Sequence, residues 1–212
     1  MASSFPALAP AITPILMALG LISGLAVTPA VSGSAVESVY TTFDTDKCRH
    51  EPGTEEEDYG SWTCPGYAGL KVLLSAGDER MYVTFGNRIA DEDLASTQTF
   101  PAFNDVYRGT VEWRVEKAGG KPRPFATILR WNVVRGSGED TSGPPPTGSV
   151  LVVTRLGPGG VCHVGYVDAT VNPNANALAR QIADDHARAF TCGEDKPLVA
   201  GKVGPGLRLP GE

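Results

Sequence analysis

Apolar and polar positions alternate with period two along much of the chain, as expected of strands that bury one face. Ser38–Phe43 forms a first such stretch. Leu70–Ser75 and Glu79–Phe85 flank Ala76-Gly77-Asp78, which reads as a tight hairpin. Thr110–Glu116 is the cleanest case, with Val111, Trp113 and Val115 on one face and charges on the other. After the turn Ala118–Lys121, the run Phe125–Val134 is apolar on both faces, which predicts a central strand. Val150–Leu156 and Val161–Asp168 are joined by the turn Gly157-Pro-Gly-Gly160.

The period then changes. Asn172 reads as an N-cap and Pro173 suits the first helical position. From there to Phe190 the residues Ala175, Leu178, Ala179, Ile182, Ala183 and His186 form one stripe at helical spacing, with Arg180, Asp184 and Arg188 opposite. Strand after strand followed by a helix predicts an α+β domain: a curved antiparallel sheet of about six to seven strands with the C-terminal helix packed on one face. The domain spans residues 36–192, and the Gly/Pro-rich tail 193–212 reads as flexible. Gly136–Gly148, with Pro144, Pro145 and Pro146, reads as a solvated loop.

The front of the chain breaks the pattern. Residues 1–36 carry no Lys, Arg, Asp, Glu or His, and Ala11–Val27 is nearly continuous apolar sequence followed by the small-residue stretch Thr28–Ala35. Residues 1–35 are therefore expected to be an export signal, cleaved after Ala35 or after Ala30. The alternatives are an uncleaved anchor over Ala11–Val31 and a true start at Met17. With the leader removed, nothing in the chain calls for a membrane. The expected address is periplasmic or extracellular. There, Cys48, Cys64, Cys162 and Cys192 read as two bridges, and pairing neighbours in sequence gives Cys48–Cys64 and Cys162–Cys192.

Charge narrows the partners. A net charge of −6 and a pI near 5.1, with Lys and Arg scattered, exclude the basic face of a nucleic-acid binder and suit a basic partner. The chain has no G-x-S-x-G, S-x-x-K, H-E-x-x-H or P-loop, and no cofactor or metal is implied. Asp44-Thr-Asp46 with Glu55 imitates the ends of an EF-hand loop, but Arg49 stands where that loop needs Gly. His186 lies on the helix stripe, His163 on a strand with Asp168 at opposite parity, and His50-Glu51 beside Cys48. The strongest candidate is the loop that a Cys48–Cys64 bridge would present. There, Glu55, Glu56, Glu57 and Asp58 precede Tyr59 and Trp62, joining negative potential to aromatic anchors that suit a basic protein surface.

The motifs Ser38-Val-Tyr-Thr-Thr, Trp62-Thr-Cys-Pro-Gly, Arg123-Pro-Phe-Ala-Thr-Ile-Leu-Arg, Val161-Cys-His-Val-Gly-Tyr-Val-Asp-Ala and Asn176-Ala-Leu-Ala-Arg resemble a group of small exported bacterial proteins with no assigned activity. The resemblance implies export and a shared fold, and supplies no catalytic residue. Two function classes follow from the sequence. One is a non-enzymatic envelope binding module acting through the acidic loop. The other is a small hydrolase or metal-dependent enzyme built from scattered residues such as His50, His163 and carboxylates.

Overall fold

The computed structural model of the protein describes Met1 and residues 35–53, 60–136 and 146–211. The expected leader, the acidic run Glu55–Asp58 with Tyr59, and the centre of the Gly136–Gly148 loop lie outside the described residues. The strands, in chain order, are β1 (Val36–Asp44), β2 (Arg49–Pro52), β3 (Gly60–Pro65), β4 (Lys71–Gly77) and β5 (Arg80–Gly86). There follow β6 (Asn104–Asp105), β7 (Arg108–Ala118), β8 (Lys121–Val134), β9 (Thr147–Arg155) and β10 (Cys162–Asp168). The helix α1 (Ala175–His186) and the short β11 (Leu198–Val199) complete the order.

A seven-stranded open sheet runs β1-β7-β8-β9-β10-β11, with β6 added beside β8. Its pairs are antiparallel except β10–β11, which is parallel. The α+β reading holds, with α1 packed on one face of this sheet. The predicted central strand is central: β8 turns Ala126 and Ile128 towards the helix, and Leu129, Trp131 and Val133 to the other side. That other side meets something the periodicity did not separate out. Strands β2-β3-β4-β5 form their own four-stranded sheet. Val72, Leu74, Met81, Val83 and Phe85 from it share one core with Val111, Trp113, Val115 and Trp131 of the large sheet.

The β4–β5 hairpin turns one residue later than expected, on Asp78 and Glu79 with φ of 54° and 55°. Two successive positive φ values suit a two-residue hairpin loop whose twist matches its strands. In β10 the register shifts between His163 and Gly165, a β-bulge that resets the alternation. Cys162, Val164 and Val167 therefore face α1, while Tyr166 joins the inter-sheet core. Strict alternation from Cys162 would place Tyr166 on the same face as Cys162 and Val164. Gly165 sits where α1 and β11 close in: a Cβ there would lie 2.7 Å from the Leu198 carbonyl oxygen and 3.0 Å from Ile182 Cγ2.

Both bridges form as paired from the sequence, Cys48–Cys64 and Cys162–Cys192. The second ties the start of β10 to the chain after α1, so the helix is held to the sheet by packing and by a covalent link. The charged side of α1 meets the charged face of β7. Arg180 Nε donates to Glu112 at 2.6 Å. Arg114 forks onto Asp184 at 2.9 and 2.7 Å. Arg188 Nε donates to Glu116 at 3.2 Å. Alternate strand residues recur about every 6.8 Å and helical residues four apart about every 6 Å, so two triplets of opposite sign can mesh.

The helix starts later than its sequence suggested, with Asn174 at the N-cap. Asn172 holds the tail instead. Its Nδ2 donates to the Lys202 carbonyl at 2.7 Å, and its Oδ1 accepts from the Lys202 N–H at 3.0 Å. Residues 193–211, read as a loose tail, run back across the domain and bury Leu207 and Leu209 in the inter-sheet core. The anchor is Asp168, which is buried and accepts from Arg135 Nη2 at 2.5 Å, Thr170 N–H at 3.0 Å and Gly204 N–H at 2.9 Å. Glycine and proline content says nothing about such side-chain anchors, which lie elsewhere in the sequence.

Candidate functional site

The segment enclosed by Cys48 and Cys64 is a hairpin, β2 paired to β3, standing at the edge of the small sheet. All four residues of β2 are exposed, while Cys64 is buried against the inter-sheet core. One face of the hairpin is aromatic. His50 lies opposite Trp62, their rings stacked at 4.8 Å and 13°. Gly60 makes room for that stack, since a Cβ there would sit 3.1 Å from His50 Nε2 and from Trp62 Cη2. Tyr107, 48% exposed, meets Trp62 edge-on at 6.2 Å. Trp62 is thus half-buried: it packs against the core on one side and lines a cleft of about 310 Å³ with His50, Glu79, Arg80 and Tyr107 on the other.

The opposite face of the same sheet is polar. Strand pairing sets Glu51 beside Ser61, Ser61 beside Ser75 and Ser75 beside Tyr82, one straight row across four strands. This row floors a cleft of about 570 Å³ whose wall includes Ser96 and Thr97. Both wall hydroxyls already donate, Ser96 to the Asp93 carbonyl at 2.7 Å and Thr97 to the Leu94 carbonyl at 3.0 Å. What they offer a guest is therefore lone pairs. Glu51 accepts from Arg49, but both side chains are well exposed and such a pair binds weakly in water. Pro52, Gly53 and Gly60 line both clefts, so the two residues that flank the acidic segment in sequence, Gly53 and Gly60, lie at their shared rim.

The sequence singled out Trp62, and the structure brings it to this rim. It weighed Glu51 only with His50, and passed over Ser61, Ser75, Tyr82 and Tyr107 as site residues. The legible signal was the polar interruption in two otherwise apolar strands: Ser75 and Tyr82 are paired as soon as the hairpin turn is placed.

The other candidates lie apart from one another. His163 is fully buried, shares a hydrogen bond of 3.0 Å with the Tyr166 hydroxyl and packs edge-on to Trp131. Burial pushes its pKa down to about 3, so it stays neutral, and burial raises that of Tyr166. Burial alone would raise the Asp168 carboxyl. The hydrogen bonds from Arg135, Gly204 and Thr170 outweigh it and hold that carboxyl below the usual carboxylate range. His186 lies at the end of α1, lining a surface cleft of about 280 Å³ with Asp185, Asp195 and Lys196. Among the described residues no group of three His, Cys, Asp or Glu side chains gathers as a metal site. His163 and Tyr166 thus serve the core and Asp168 the tail anchor, outside the hairpin clefts. Among the described residues, no helix is long and apolar enough to cross a membrane. No protein-family model, no curated protein and no solved structure matches the chain.

Proposed function

We propose that this is an exported envelope protein acting as a non-enzymatic binding module, and that the rim of the β2–β3 hairpin takes a lysine- or arginine-bearing segment of a partner protein. The observation that carries the reading is the row Glu51–Ser61–Ser75–Tyr82, an acceptor-rich floor beside Gly53 and Gly60, the residues that flank the acidic segment in sequence. An ammonium or guanidinium group has donors and no acceptor, so a pocket of lone pairs beside carboxylates suits it. Trp62 and Tyr107 on the neighbouring cleft supply aromatic faces and edges for the partner's aliphatic stems or for cation–π contact. The two disulfides and the uncharged front of the chain support export to an oxidising compartment.

The test is binding of an oligo-arginine peptide, followed by fluorescence of Trp62, since Trp113 and Trp131 are buried. A variant neutralising Glu55, Glu56, Glu57 and Asp58, and separately Glu51→Gln, should each weaken binding by about tenfold with the melting temperature unchanged. Unaltered binding in both variants would refute the reading.

A further inference from the structure

A second cleft lies on the helix side of the large sheet. The helix α1 covers β8, β9 and β10 with apolar residues, but past its first turn the sheet face becomes polar and open. Arg108 and Thr110 from β7 and Arg130 and Asn132 from β8 line this space, with Tyr40, Asn176 and Arg180 as walls. The cleft measures about 480 Å³, the size of a small-molecule site.

Charge within it is unevenly matched. Among the described residues Glu112 is the one carboxylate lining the cleft, and it is held from two sides, by Arg180 at 2.6 and 3.2 Å and by Arg114 at 3.7 Å. Arg108 leans outward towards Asp46 at 3.4 Å and Asp44 at 3.9 Å. Asp105 is engaged by the Asn132 amide at 2.9 Å. Arg130 has no carboxylate partner among the described residues; its Nη1 donates to the Ser149 hydroxyl at 2.8 Å and the rest of its fork is uncommitted. Arg180 reaches across the same opening to the Tyr40 hydroxyl at 3.1 Å. A planar guanidinium with spare donors in a concave site favours a ligand oxyanion, and the side chains of Thr110, Asn132 and Asn176 suit hydroxyl groups.

We propose that this cleft binds a small anionic ligand, one carboxylate or phosphate group carried on a hydroxyl-bearing body, with Arg130 as the principal anion contact. The class is that of a sugar acid or sugar phosphate. It does not depend on the hairpin reading, because no residue is shared between the two sites.

The experiment is calorimetric titration of the full protein with glucuronate, with glucose 6-phosphate and with neutral glucose. At least one acid should bind, with glucose at least about tenfold weaker and the acid's affinity falling as salt rises. Arg130 is exposed, so Arg130→Gln should fold normally and lose about tenfold or more of that affinity. Arg130→Lys, which keeps the charge and loses the fork, should fall between. Glu51→Gln should leave the titration unchanged. Failure of both acids to bind, equal binding of glucose, or undiminished binding by Arg130→Gln would each overturn the proposal. So would loss of binding in Glu51→Gln, which would move the ligand to the other side of the molecule.

Discussion

Replacing Asp184 with Ala removes the centre of the contact between α1 and β7. Arg114 is only 8% exposed at its side chain and Asp184 31%, and the two make a bidentate pair at 2.9 and 2.7 Å. Removing one partner of a buried pair typically costs about 3–5 kcal/mol, because the other charge stays buried. Two features reduce that here. Asp184 is partly in water, and Glu112 remains 3.7 Å from Arg114 to take up some of its charge. The expected loss is therefore about 2–3 kcal/mol, or roughly 4–12 °C in melting temperature for a domain of this size. An exposed pair provides the internal comparison. Lys117 and Glu37, 63% and 45% exposed at 3.5 Å, should give less than about 1 kcal/mol on Lys117→Ala. The assay is urea unfolding, with an unchanged m-value to show that midpoints report stability alone. The double replacement Arg114→Met with Asp184→Leu should recover most of the loss, since apolar groups leave no unpaired charge. If Asp184→Ala costs no more than Lys117→Ala, the meshed triplets contribute nothing, and α1 is held by its apolar stripe and the Cys162–Cys192 bridge alone.

His163 links stability to pH. Its pKa is about 3 when folded and about 6.5 when unfolded, so between these values the unfolded chain binds the extra proton. The contribution is complete above about pH 6.5 and is lost as pH falls, amounting to about 2–3 kcal/mol between pH 7 and pH 4.5. Urea midpoints at the two pH values should show this slope, and His163→Gln should flatten it; an equal slope in the variant would contradict the assignment. Asp168, whose folded pKa lies below its ordinary value, contributes stability above about pH 4 that disappears in stronger acid. Asp168→Asn should release the tail, so trypsin should cut at Lys202 and Arg208 much faster than in the parent; equal cleavage rates would show that the tail is held by other contacts. Cys162→Ser with Cys192→Ser should cost about 3–4 kcal/mol by the loop-closure argument, read from the urea midpoint against the same protein with both bridges intact.

Much of this architecture was legible because burial repeats with the period of the backbone. The double-sided apolar run of β8 announced a central strand, and the helix stripe announced which side faces the sheet. Sequence order also sufficed for the bridges, since a helix laid on the face of Cys162 returns Cys192 beside it. What alternation cannot carry is any local shift of phase. The bulge in β10 moved Tyr166 to the face opposite Cys162; its one mark in the sequence is Gly165 inside the apolar run, which does not fix the size of the shift. The small sheet was hidden for a different reason: β2 is exposed on both faces, so it has no period to read. The charges of α1 and β7 were visible as two alternating triplets, but reading them as partners requires matching a two-residue repeat against a four-residue one. The polar row of the hairpin cleft depends on register across four strands, which only the Asp78–Glu79 turn and the Cys48–Cys64 bridge set jointly.

The central claim, that the β2–β3 rim receives a cationic segment, is tested most directly by mapping amide shifts of the isotopically labelled protein during titration with an oligo-arginine peptide. Saturable movement of Ser61, Ser75 and Tyr82 together with the Trp62 indole, and stillness around Arg130 and Tyr40, is the predicted result. A titration that leaves those hairpin and sheet resonances in place, or moves another surface instead, would contradict the account.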